Sequence, residues 1–262
     1  MGKIIAITNR RGHAGKTTTS INLAVTFANS GRKTLLVDLD AAGSCAKGLG
    51  INKRDTVNDV FRDFKNKLPF RRSVLKTSIS RLEYIHIKKL PYLDELRIGE
   101  VSPNEQILRS ILRHGAMNYD NLVLDCPPHL TGNINAALIA ADSVLIPVAP
   151  GKFSSAAVRK ILSQINDVRE NYNPELKIAG ILLTNYEFNN GDSFTLKKEL
   201  FKEYPKLIFN TSIPKSAFVQ KAFEIGTPLM VYKPEDRAAK AYVKLADELF
   251  ERKNLFSVKR KT

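Results

Sequence analysis

The chain has 262 residues, two cysteines, no tryptophan and a formal net charge of +15, from 41 Lys and Arg against 26 Asp and Glu. That length allows one α/β domain or two small ones and buries roughly three quarters of the unfolded surface, so no covalent or metal staple is needed. Cys45 and Cys126 make no disulfide or metal-ligand framework, no stretch reaches the roughly 20 apolar residues of a membrane span, and the charge suits either a polyanion partner (nucleic acid or an acidic membrane surface) or a basic surface kept for solubility.

Met1-Gly2-Lys3 runs straight into Ile4-Ile5-Ala6-Ile7, a buried strand by its β-branched content, which leaves no room for a signal peptide. Asn9 to Thr18 follows, and Thr19 to Ala28 reads as a helix packed on a sheet. Strand, glycine loop, Gly-Lys-Thr and helix form a P-loop arrangement, in which loop and helix N–H groups converge on a phosphate. Lys16 is placed to reach the β/γ phosphates and the Thr17 hydroxyl to bind Mg²⁺. The strict pattern G-x-x-x-x-G-K-[ST] fails, because Arg10 holds the first glycine position. The stretch resembles instead the deviant Walker A loop K-G-G-x-G-K-[ST] of the ParA/MinD class of ATPases. Gly12, Gly15, Lys16 and Thr17 fit it, Arg11 replaces the signature lysine and His13 replaces the second glycine.

Lys33 to Asp40 reads as a second buried strand ending in two carboxylates, Asp38 and Asp40, where ligands bind in open α/β sheets. In the ParA family this strand continues as D-x-D-P-Q-G-N; here Asp-x-Asp and Gly43 remain, with Ala41, Ala42 and Ser44 substituted. The resemblance casts Asp40 as the group orienting the attacking water and Asp38 as part of the Mg²⁺ surroundings. From Ile51 to about Leu90 the chain is basic and reads as one or two amphipathic helices, then a strand at Leu82 to Ile87. A helix over Gln106 to His114 precedes the strand Asn121 to Asp125. With a P-loop upstream, Asp125 becomes a Walker B acid able to hold a Mg²⁺-bound water. Asp125-Cys126-Pro127-Pro128 and Ala140 to Val148 match the ParA/Soj-type partition ATPases, while His129, Thr131 and Gly132 depart from them. The four histidines show no metal spacing, and no transition metal is expected.

Further strands are expected at Val144–Val148, Lys177–Thr184 and Leu207–Pro214, and helices at Ser154–Glu170, Phe194–Tyr204 and Glu235–Arg252. This alternation predicts an α/β fold, a mostly parallel twisted sheet with helices on both faces. Residues 1–252 then form a single P-loop ATPase domain, and 253–262 a short basic tail.

The resemblance implies the fold of a deviant Walker A P-loop NTPase and the work of a partition ATPase acting on plasmid or chromosomal DNA. Its nucleotide site is Arg11, Gly12, His13, Ala14, Gly15, Lys16, Thr17 and Thr18, with Asn185 and Pro214 flanking adenine. Thr17, Asp38 and Asp125 surround the metal; Asp40, Lys16 and Arg11 carry catalysis. ATP and Mg²⁺ are the cofactors, and ATP closes a homodimer across which Arg11 reaches the partner's phosphates. The dimer binds DNA without sequence preference through Lys215, Lys221, Arg237 and Lys240. A ParB-like, centromere-binding protein triggers hydrolysis and release, and the setting is cytoplasmic and nucleoid-associated. No helix-turn-helix module precedes the loop, as in the small members of the family. Arg11 and His13 leave open a nucleotide-binding scaffold with little hydrolysis. A MinD-like membrane role through Leu255-Phe256-Ser257-Val258 has too small an apolar face for secure attachment.

Overall fold

A computed structural model describes residues 2–52, 66–67, 70–87, 103–128 and 132–257. One seven-stranded sheet organises them. Its strands are β1 (Lys3–Ile7), β2 (Thr34–Asp38), β3 (Leu75–Lys76), β4 (Leu82–His86), β5 (Asn121–Asp125), β6 (Ser143–Val148) and β7 (Lys177–Leu183), in spatial order β3-β4-β2-β5-β1-β6-β7. All pairs are parallel except the short β3–β4 edge.

Parallel strands are covered on both faces, so each must be apolar throughout, and alternate residues face opposite layers. Ile4, Ala6, Leu35, Val37, Leu122, Leu124, Val144, Ile146, Ile181 and Leu183 enter one core. That core is completed by α3 (Pro103–Gly115), α4 (Gly132–Ala140), α5 (Ser154–Asn171) and α6 (Gly191–Glu203). Ile5, Ile7, Leu36, Tyr84, Val123, Leu145 and Leu182 enter the other. There they meet α1 (Lys16–Asn29), α2 (Ser44–Gly48), α7 (Ala217–Glu224), α8 (Leu229–Tyr232) and α9 (Arg237–Ser257). Residue parity decides the site: Asp38 and Asp125 lie two positions beyond Leu36 and Val123, so both carboxylates face the layer that holds α1 and α2.

Two sequence expectations are corrected. Leu207–Pro214 is not a strand, and makes only isolated bridges from Ile208 to Ile181 and from Pro214 to Tyr186. The Asn210 and Thr211 amides donate to the Glu248 carboxylate of α9, at 2.8 and 2.9 Å, so they are drawn away from a ladder. The last helix does not stop at Arg252 but runs to Ser257. The amphipathic helices expected before Leu82 fall mainly on residues 53–65, and His129 and Thr131 on 129–131, all outside the described residues.

Candidate functional site

β1 delivers the chain to a loop pinned against β6. Asn9 donates through Nδ2 to the Pro147 carbonyl at 2.7 Å and accepts the Arg11 N–H at 3.0 Å through Oδ1. The loop then needs left-handed backbone twice, at His13 (φ 57°) and Gly15 (φ 81°). Glycine takes that region freely, and a Cβ at Gly15 would also lie 3.2 Å from Thr184 Oγ1. Histidine tolerates it at some cost, and His13 is exposed, as is Gly12. Buried Ala14 is held from the end of β7, where Thr184 Oγ1 donates to its carbonyl at 2.9 Å.

Lys16 opens α1. Its ammonium is nearly buried and donates to the Arg11 carbonyl at 2.9 Å, closing the loop on itself. Burial pulls its pKa below the ordinary lysine value, while Asp125 opposes the shift. The first turn of a helix leaves its N–H groups without intrahelical partners. A buried cation beside such groups, including those of Thr17 and Thr18, is suited to phosphate oxygens.

Behind the loop lie the acids. Asp125 Oδ2 accepts Thr17 Oγ1 at 2.8 Å and Cys45 Sγ at 3.2 Å, and its Oδ1 accepts Ser20 Oγ at 2.9 Å. Asp38 Oδ1 accepts the Asp40 N–H at 3.0 Å, and its Oδ2 accepts the Cys45 N–H at 3.0 Å and the Tyr84 hydroxyl at 3.3 Å. Both carboxylates are fully buried. Burial, then the Asp125 charge, pushes Asp38 up to about 8. Burial also raises Asp125, against hydrogen bonds from Thr17, Cys45 and Ser20. The Cys45 thiol is pushed up as well, first by burial and then by Asp125, so it sits there protonated and unreactive. Ligand atoms of Asp38, Cys45 and Asp125 all lie within 4.8 Å of one another. The carboxylates of Asp38 and Asp125 with the Thr17 hydroxyl are a hard oxygen donor set, which fits Mg²⁺. Asp40 is only half buried, and its Oδ1 accepts the Ala42 N–H at 3.0 Å.

Arg11, expected to reach across a dimer, is folded back onto its own chain in this single copy. Its guanidinium donates to the Ala149 carbonyl at 3.3 Å and to Ser154 Oγ, and lies against Gly151. Asn185 is exposed at φ 49°, next to the Tyr186–Pro214 bridge, so Asn185 and Pro214 are neighbours beside β7. Lys221, Arg237 and Lys240 are exposed on α7 and α9. Lys215 is exposed too, but its ammonium is paired with Glu187 at 3.1 Å. Cys45, Ser20 and Tyr84 were missed as partners of the acids, and Thr184 as a support of the loop. Only Ser20 had a local signal, lying one helical turn beyond Lys16 and Thr17 on the same face of α1.

A model of the AAA domain family matches residues 2–178. The chain is 33% identical over 249 residues to the sporulation initiation inhibitor protein Soj of Bacillus subtilis, covering 95% of this chain and 98% of that one. It is 31% identical over 252 residues to the chromosome partitioning protein ParA of Myxococcus xanthus, covering 96% and 89%. Among solved structures, the septum site-determining protein MinD of Pyrococcus horikoshii, complexed with Mg-ADP, superposes with a TM-score of 0.74 at 22% identity over 100% of both chains.

Proposed function

Because the chain belongs to the AAA-domain family, and within it to the ParA/Soj partition ATPases, we propose that it segregates DNA as an ATP-timed dimer. The observation that carries the nucleotide part of this reading is a buried Lys16 ammonium closing the loop onto the Arg11 carbonyl, with the next residue, Thr17, hydrogen-bonded to Asp125 at the end of β5.

On this reading the loop from Arg11 to Thr18 binds the phosphates of ATP, and Lys16 exchanges the Arg11 carbonyl for phosphate oxygens. Thr17, Asp38 and Asp125 hold the Mg²⁺, which neutralises charge on the phosphates. Asp40, the acid nearest solvent, orients the attacking water. Asn185 and Pro214 flank adenine. Arg11 leaves Ala149 and Ser154 to contact the partner copy's nucleotide, and turnover is slow because that release competes with its bonds in cis. The closed dimer doubles the basic surface, with Lys221, Arg237 and Lys240 meeting phosphates of DNA and Lys215 joining them once it parts from Glu187. A ParB-like protein stimulates hydrolysis, and the dimer works on the nucleoid in the cytoplasm. Among the described residues no helix is long and apolar enough to cross a membrane.

Two variants test this. Lys16→Ala is expected to lose nucleotide binding, and Asp40→Ala to bind ATP and dimerise without turnover, read by fluorescent-nucleotide titration, light scattering and phosphate release. Unchanged ATP affinity in Lys16→Ala refutes the nucleotide site, and an Asp40→Ala protein that cannot bind ATP moves Asp40 out of the catalytic role.

A further inference from the structure

Asp40 heads a tight turn, residues 40–43, whose backbone is tied down from several sides. Its N–H donates to Asp38 Oδ1 at 3.0 Å, its Oδ1 accepts the Ala42 N–H at 3.0 Å, and its carbonyl accepts the Gly43 N–H at 2.9 Å. That carbonyl has a second lone pair, and His86 Nε2 lies 2.9 Å from it. A carbonyl only accepts, so Nε2 carries the proton and donates. His86 reaches this point because β4 runs beside β2 with His86 opposite Asp38, two residues before Asp40. The imidazole is only 8% exposed and also covers the far end of the turn. A Cβ at Gly43, itself at φ 63°, would sit 3.0 Å from His86 Cε1. One side chain from a neighbouring strand thus touches both ends of the turn that carries Asp40.

We propose that His86 is a positioning residue for hydrolysis, holding the turn at residues 40–43 so that the Asp40 carboxylate keeps its aim. The proposal rests on the reading of Asp40 as the water-orienting group. His86 acts on the turn and not on the phosphate loop, so its loss affects turnover and spares nucleotide binding. The hydrogen bond and the ring packing are separable: glutamine can carry an N–H to a similar reach, whereas phenylalanine fills the space against Gly43 with no donor.

The test uses the full chain with ATP and Mg²⁺. His86→Phe and His86→Ala are expected to bind fluorescent ATP within about twofold of wild type and to lose about three- to tenfold in kcat, the population one hydrogen bond can hold. Hydrogen exchange in a peptide spanning residues 39–49 is expected to speed up in both variants, and His86→Gln to restore both rate and protection. A role confined to packing predicts instead that phenylalanine rescues and glutamine does not, which overturns the proposal. An inactive Asp40→Ala beside a fully active His86→Phe overturns the His86 role alone. An Asp40→Ala protein that hydrolyses ATP normally overturns the reading of Asp40 beneath it.

Discussion

Replacing Thr184 by valine isolates the tie between β7 and the phosphate loop. The hydroxyl donates to the Ala14 carbonyl at 2.9 Å, and both residues are buried. A methyl carbon in place of Oγ1 needs about 3.3 Å or more from that oxygen, so loop and strand must part by about 0.4 Å. The Ala14 carbonyl also loses this donor inside the protein, which costs about 1–3 kcal/mol. At about 2–4 °C per kcal/mol for a domain of this size, the melting temperature falls by several degrees. Thr184→Ser is the matched control, because it keeps the donor and gives up one methyl, about 0.8 kcal/mol. Serine therefore costs the fold less than valine does, and only valine removes the hydrogen bond to the loop. Valine is expected to weaken nucleotide binding about three- to tenfold, and serine to leave it near wild type. Thermal denaturation without nucleotide and fluorescent-ATP titration read the two effects. Equal ATP affinity in the two variants refutes the view that this hydrogen bond shapes the loop.

The buried acids predict a pH dependence. Asp38 is raised from 3.8 to about 8, so the nucleotide-free fold holds a proton that the unfolded chain releases above about pH 4. Stability is then highest below that point and falls as pH rises to about 8, by about 1.4 kcal/mol per unit for one proton. Urea denaturation at pH 5 and 7 is expected to show a loss of nearly 3 kcal/mol that Asp38→Asn largely removes; parallel slopes for the two proteins defeat it. For DNA, Lys221→Glu with Lys240→Glu should weaken ATP-dependent binding uniformly across sequences while dimerisation survives. If about six phosphates are neutralised, wild-type affinity drops roughly a thousandfold between 50 and 200 mM salt. A double variant that matches wild type across that series shifts the contact elsewhere.

Much of the sheet was legible because parallel strands declare themselves as short apolar runs. Asp38, Asp40 and Asp125 were legible because such runs end in acids beside a P-loop. What escaped depended on distant partners. Leu207–Pro214 has strand composition, yet a carboxylate on α9 takes its amides. Cys45 looks inert in sequence, and it joins Asp125 across 80 positions through the pairing of β2 with β5. By sequence alone Arg11 is a charge aimed outward, while Ser154, 143 positions away, takes its guanidinium. In sequence His86 is an ordinary strand residue, since only register with β2 brings its ring to the Asp40 turn.

The placement of β1 has a consequence for how the molecule is made. β1 sits inside the sheet with β5 on one side and β6 on the other, Lys3 pairing with Asn121 and Ile5 with Ser143. Both neighbours emerge from the ribosome more than a hundred residues later. At roughly 5–20 residues per second, the newborn chain carries this apolar strand with two bare edges for several seconds or longer. Closing so long a loop costs little more than closing a short one, but the wait exposes a segment able to pair with other chains. Assembly of the phosphate loop, which is tied to Pro147 on β6 and to Thr184 beyond β7, is thereby deferred until that stretch has arrived.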